Sequence, residues 1–136
     1  MIRKLEKNDL VWLKPIAEKY GSWRDVKAIA EDPDNFGGGV VAAMVSVPYA
    51  FGVMVHDDHG IVLEGLCDTY GIKHLIRWGD VMCQMADSAG IDLHNHKYNE
   101  KPWYRGVLTR WGFVESTPEI GHIRYAVKPA ERQEEA

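Results

Sequence analysis

An α+β domain, with a mixed and mostly antiparallel sheet of six to seven strands and about four helices, is what the hydropathy of this 136-residue chain predicts. Short apolar runs separated by turn residues mark strands at residues 40–47, 50–56 and 61–67. One long apolar stripe of helical period, Ile72 to Ala86, follows them. At 46% hydrophobic and 26% charged residues the chain has an ordinary globular composition, enough for one core. A single domain is expected over residues 1–128, with a polar tail over 129–136.

Ile2 to Glu6 alternates apolar and charged residues and reads as a short strand. Asn8 or Asp9 can cap the next helix, because a short side-chain oxygen accepts a free backbone N–H there. Leu10, Leu13, Ile16, Ala17 and Tyr20 give that helix its buried side. Pro15 should kink it or delay its regular part to about Lys14. Gly21 ends it, and Ser22-Trp23-Arg24-Asp25 resembles a capping box opening a second helix, with Val26, Ile29 and Ala30 inward. Pro33-Asp34 and Gly37-Gly38-Gly39 form a loop.

The runs from Val40, Ala50 and Ile61 are joined by short links, Pro48-Tyr49 and residues 56–60, so an antiparallel meander is expected. The central helix has Ile72, Leu75, Ile76, Gly79, Met82, Cys83 and Ala86 on one stripe and stops at Gly90. Ile91 to Lys97 then returns to the sheet after a helical crossover and should run parallel to the preceding strand. Pro102 can sit in the first turn of a last helix, whose buried side carries Trp103, Val107, Leu108 and Trp111. Phe113 to Glu115 and His122 to Val127 close the chain as two strands.

Composition also excludes functions. Sixteen basic against 20 acidic residues leave a net charge of −4, which argues against a nucleic-acid surface. Two cysteines are too few for a disulfide scaffold or a four-thiolate zinc site. No apolar run approaches transmembrane length, and charges at Arg3, Lys4, Glu6 and Lys7 do not suit a signal peptide, so a cytoplasmic protein without a membrane partner is expected.

The element order in this length resembles the GNAT superfamily of acyl-CoA N-acyltransferases. Ile2-Arg3-Lys4-Leu5 followed by Asp9 looks like the family's opening strand and helix, Ala86-Asp87-Ser88-Ala89-Gly90-Ile91 like the end of its central helix, and Trp111-Gly112-Phe113 like its closing Gly-Phe. The resemblance implies that the fourth and fifth strands splay apart and that acetyl-CoA enters the gap. Its pyrophosphate would rest on N–H groups at the start of the central helix, where a helix end attracts anions. The cofactor-holding residues it implies are Leu66, Asp68, Thr69, Tyr70, Gly71, Ile72 and Lys73. Gly71 matches the family pattern, while Asp68 stands where the family has Gln or Arg and Lys73 where it has a second glycine.

Two catalytic residues are implied. Glu64, on the strand lining the cleft, would be the base that strips the attacking ammonium, with His56 in reserve. The family's proton-donating Tyr falls on Leu108 here, and Tyr104 lies one helical turn earlier. The activity implied is transfer of an acetyl group from acetyl-CoA to a small-molecule or peptide amine, without a metal. The alternative is a GNAT-type scaffold without catalysis, acting through protein partners or self-association. Small GNAT-like proteins with eroded cofactor loops occur in the virions of tailed phages, and such a protein would reside in the host cytoplasm or the particle.

Other constellations carry ordinary readings. His56-Asp57-Asp58-His59 is a polar turn, since adjacent side chains diverge. His94 and His96 share a strand face with workable zinc spacing but lack a visible third ligand. The glycine tract at 37–39 lacks the Lys-Ser/Thr of a phosphate loop. Cys67 reads as a buried thiol rather than a nucleophile, and Lys97, Lys101, Arg105 and Arg110 as a solvated helix face. Trp78, Val81 and Met85 widen the apolar side of the central helix, which implies either a broad core or an aromatic surface covered by a partner.

Overall fold

The computed structural model describes residues 1–68, 71–95 and 102–127. Its helices are α1 (Leu10–Lys19), α2 (Trp23–Glu31), α3 (Ile72–Ala89) and α4 (Pro102–Arg110). Its strands are β1 (Ile2–Lys4), β2 (Val40–Ser46), β3 (Ala50–Asp57), β4 (Gly60–Cys67), β5 (Leu93–Asn95), β6 (Val114–Glu115) and β7 (His122–Arg124). They form one seven-stranded sheet in the order β1-β2-β3-β4-β5-β7-β6. Every pairing is antiparallel except that of β4 with β5, which is parallel as the crossover through α3 requires.

The sheet is covered on both faces. Leu13, Ile16 and Ala17 of α1 and Val26 and Ile29 of α2 pack on Val45, Phe51, Val53, Val55 and Val62. Leu75, Trp78, Met82 and Ala86 of α3, Val107 and Leu108 of α4, and Trp111 just after it pack on the opposite face, against Ala50, Met54, Leu63 and Leu93. Alternation along β3 sends Phe51, Val53 and Val55 to one side and Ala50 and Met54 to the other, so its sequence reads as an unbroken apolar run.

Three local expectations change. The first helix runs unbroken through Pro15 from Leu10, after a 3-10 turn at Lys7–Asp9. Proline forfeits the bond to the Val11 carbonyl, and Val11 is 83% exposed, so water can satisfy that acceptor. Ser22 makes no capping bond to α2: its backbone, at φ −107° and ψ 3°, lies outside the extended region from which a side chain reaches back. Asp9 does not cap α1 either; its buried carboxylate accepts two bonds from Arg3 at 2.8 Å, one from the Glu6 amide at 2.8 Å and one from the Trp12 indole at 2.9 Å.

Trp78 belongs to the intramolecular core, fully buried, not to an aromatic surface. Its ring lies against Gly52 and Gly65, which face each other across β3 and β4, and its indole N–H donates to the Met44 carbonyl at 3.0 Å. A Cβ at Gly65 would come within 2.9 Å of that ring, and one at Gly52 would overlap both the ring and the Glu64 carbonyl. Met85 faces outward. Ile72, placed on the buried stripe by its spacing, is 36% exposed at the first turn of α3.

The last strands are pinned to α3 by an ion pair. Arg124 grips Asp87 through two bonds of 2.8 and 3.0 Å and also donates to the Trp111 carbonyl. Both side chains are nearly buried, so this is a fully paired internal charge rather than a surface contact. The polar tail at 129–136 lies outside the described residues. Among the described residues, no helix is long and apolar enough to cross a membrane.

Candidate functional site

β3 pairs with β4 along its whole length, from Ala50–Cys67 to Asp57–Gly60. β4 and β5 share only two register pairs, Ile61 with Leu93 and Val62 with His94. The described part of β5 ends at Asn95, one residue past the last of these pairs. Asn95 is fully buried at that end of β5, and its side-chain amide donates to the Leu63 carbonyl at 2.9 Å and to the Tyr104 hydroxyl at 2.9 Å. Since Leu63 turns its main-chain groups toward β5, alternation turns those of Gly65 and Cys67 to the same side of β4.

A cavity of about 290 Å³ lies along this part of β4. Glu64, Gly65, Leu66 and Cys67 form one wall. Tyr20, Asp25, Val26 and Ile29 contribute the α1–α2 side, and Phe36 and Phe51 supply aromatic faces. Glu64 is half-buried and lies on the same strand face as Val62 and Leu66, beneath α2. Tyr104 belongs to the core of the opposite face and also lines the cavity.

Glu64 and Tyr104, chosen separately from the sequence, thus line one cavity. Tyr104 is 8% exposed. Burial pushes its phenol above the ordinary value; the bond from Asn95 works against that rise, and the Glu64 charge adds to it. The phenol is accordingly held protonated at neutral pH. Leu108, at the position where the family pattern has its Tyr, is packed in the core and takes no part.

The segment entering α3 adjoins the cavity. The Asp68 amide donates to Tyr49 and the Gly71 amide to Asp68, each at 3.1 Å, while His74 stacks on Tyr49 with ring centres 3.9 Å apart. A Cβ at Gly71 would lie 2.9 Å from Asp68 Oδ1 and 3.1 Å from the Tyr49 carbonyl, so glycine alone fits without rearrangement. The same closeness places the Asp68 carboxylate over the start of α3. Of the residues expected to hold a cofactor, Leu66 lines the cavity, Asp68, Gly71, Ile72 and Lys73 form the adjoining helix start, and Thr69 and Tyr70 lie outside the described residues.

The remaining sequence candidates fall elsewhere. Burial pushes the Cys67 thiol up to about 11, Asp68 adds to the rise and Lys19 opposes it, so Cys67 is an inert thiol. His94 is buried with Nε2 3.0 Å and 3.2 Å from the two Asp57 carboxylate oxygens, and the His59 ring meets it edge-on at 6.3 Å. The fold thus joins two motifs that the sequence kept apart. Among the described residues, no group of three metal-ligating side chains forms; His96 lies outside them. His56 is exposed at the far end of β3, away from the cavity lining. The glycine tract pairs with it, Gly38 donating to the His56 carbonyl at 3.0 Å and His56 to Gly39 at 2.9 Å. Arg105 and Arg110 are solvated on α4, and Lys97 and Lys101 are outside the described residues.

Sequence reasoning missed Asn95 and Asp25. An asparagine inside a buried strand is disfavoured on propensity, and that mismatch was the available signal for Asn95. Asp25 sits in the capping-box pattern, and nothing in its sequence neighbourhood points to the cavity it lines together with β4. Comparison of the chain with family models, with curated proteins and with solved structures finds no match.

Proposed function

We propose that the protein is a divergent GNAT-type N-acetyltransferase that moves an acetyl group from acetyl-CoA to an amine. One observation carries this reading: a cavity along β4 is lined by both a carboxylate, Glu64, and a buried phenol, Tyr104. When bound, acetyl-CoA supplies a thioester whose carbonyl carbon forms a C–N bond as its C–S bond breaks. Glu64 takes the proton that the ammonium must lose to become a nucleophile. Tyr104 gives its proton to the departing thiolate, a role its protonated state suits. The main-chain groups of Gly65 and Cys67 are the partners available to an extended amide-bearing arm.

The phosphate end fits less well. Amides at the first turn of α3 favour an anion, but the Asp68 carboxylate already lies over that turn. This favours weak acetyl-CoA binding and supports a second reading: a scaffold without catalysis that serves a particle or other assembly, as in a tailed-phage virion. Calorimetry and thermal shift with acetyl-CoA, followed by assay of thiol release with an amine panel, separate the two. Neither heat nor stabilisation at millimolar acetyl-CoA removes the enzymatic reading. Co-elution with particle proteins on sizing chromatography then supports the second, and a monomer that transfers acetyl groups ends it.

A further inference from the structure

We infer that Asn95 is a positioning residue: its side-chain amide ties the Tyr104 hydroxyl to the Leu63–Glu64 peptide and so sets the spacing of the two groups that carry the chemistry. The catalytic consequence rests on the acetyltransfer reading above, whereas the tie itself does not.

The tie runs through one atom. Asn95 Nδ2 donates to the Leu63 carbonyl and to the Tyr104 hydroxyl, 2.9 Å in each case, which accounts for both N–H groups of the amide. The two accepting oxygens therefore lie within about 6 Å of each other. The Leu63 carbonyl belongs to the peptide bond that enters Glu64. The other edge of β4 is held by β3, with Val53 opposite Glu64. The backbone that carries the carboxylate is thus gripped from β3 and from β5, and the β5 grip also holds the phenol.

Tyr104 gains from such a grip. Its ring is carried by α4 and packs in the core on the sheet face opposite Glu64. Apolar packing against neighbours confines a ring but is non-directional, whereas a hydrogen bond fixes an oxygen in distance and angle. Misplacing a reacting group by about 1 Å costs on the order of 10²-fold in rate. Filling space does not call for asparagine either. Asn95 is 1% exposed within a strand, where an apolar residue would avoid the cost of desolvating an amide. A purely structural amide would need the bond to Leu63 alone. The second bond goes to a phenol that lines the cavity.

Solution NMR on the full chain without acetyl-CoA tests the tie. Tyr104→Phe removes one acceptor and keeps the ring, so one proton of the Asn95 side-chain NH2 should move upfield while its twin on the Leu63 carbonyl moves much less. A response from neither proton overturns the inference. Assay of acetyl transfer tests the consequence. Asn95→Leu keeps a similar outline without the donors, so kcat should fall about 10- to 100-fold while the acetyl-CoA KM changes less than about threefold. In a Tyr104→Phe background the same substitution should lower kcat less than about threefold. An equal loss in both backgrounds, or a raised KM with kcat intact, overturns the inference, because Asn95 would then act without Tyr104. Should Asn95→Leu fail to fold, the NMR result decides alone. The tie seen by NMR in a chain that transfers no acetyl group leaves the hold on Tyr104 standing and removes acetyl transfer. Full transfer by folded Asn95→Leu does the reverse.

Discussion

The Tyr104 hydroxyl accepts a hydrogen bond from the Asn95 side chain. The Leu63 carbonyl fixes this sense. A carbonyl only accepts, so the Asn95 nitrogen must face it, and that same nitrogen lies 2.9 Å from the Tyr104 oxygen. The flipped amide would set two acceptors against each other. Tyr104 also borders the cavity.

Removing either member of this pair should separate chemistry from stability. Tyr104→Phe keeps the ring and should cost about 1 kcal/mol of stability, while lowering acetyl transfer by about 10²-fold or more with acetyl-CoA binding unchanged. Asn95→Ala leaves the buried Leu63 carbonyl without this donor and should cost about 1–3 kcal/mol. It also removes the bond that favours the phenolate, so the Tyr104 pKa should rise further. Ultraviolet difference titration, with Tyr104→Phe as the reference, reads that shift; an unchanged Tyr104 titration in Asn95→Ala contradicts the assigned donor direction.

Asp68 should act against the phosphate end of the cosubstrate alone. Its carboxylate lies over the first turn of α3, so Asp68→Asn removes a repulsion that a diphosphate feels and a neutral thioester does not. Acetyl-CoA should bind about three- to tenfold tighter to Asp68→Asn, an effect that shrinks with salt. S-acetylpantetheine, which lacks the diphosphate, should bind both forms equally. Equal tightening of the two ligands would place Asp68 elsewhere in its effect.

Hydropathy period made the layers legible, and chain order made the sheet legible. The apolar run from Ala50 read as a strand, its cover on both faces came from the packing, and the crossover through α3 gave β4 its parallel partner. Glu64 follows from the family picture of a base on the cleft strand, and Tyr104 from lying one helical turn before Leu108, where the family has its Tyr. Trp78 could not be placed, because its slot is the space left by Gly52 and Gly65, and that pairing exists only once β3 and β4 are in register. Asn95 reaches Leu63 across 32 residues, and no local signal spans that distance. Ser22 failed as a cap because capping depends on backbone angles set by the tight link between α1 and α2.

The glycine pair beneath Trp78 should tolerate added methyl groups unequally. At Gly65 the new Cβ meets Leu75 Cδ1 and the Trp78 ring at 2.9 Å, and both are side chains with some freedom. Gly65→Ala should cost about 1–2 kcal/mol. At Gly52 the new Cβ also overlaps the Glu64 carbonyl, which is tied into the sheet, so Gly52→Ala should cost about 3 kcal/mol or more. Trp78→Phe shrinks the obstructing ring. Denaturant midpoints in a double-mutant cycle should therefore show Gly65→Ala costing less beside Trp78→Phe, whereas additive losses would mean that the ring is not what Gly65 accommodates.

The Asp9 cluster sets a specific acid response. Burial alone would raise this carboxyl, but the bonds from Arg3, Trp12 and the Glu6 amide, together with the Arg3 charge, outweigh it and bring the group from 3.8 to about 2. A folded-state value below the unfolded one means that ionised Asp9 stabilises the fold. That contribution is whole above about pH 4 and drains away as pH falls toward about 2. Arg3 is a third exposed, so solvent screening trims the gain to about 1–2 kcal/mol. Asp9→Asn removes the titrating group while keeping its outline. The stability gap between wild type and Asp9→Asn, from urea midpoints at a series of pH values, should be constant near neutrality and close progressively below about pH 4. A gap that stays fixed down to about pH 2 would show that Asp9 contributes through shape and packing, not through its charge.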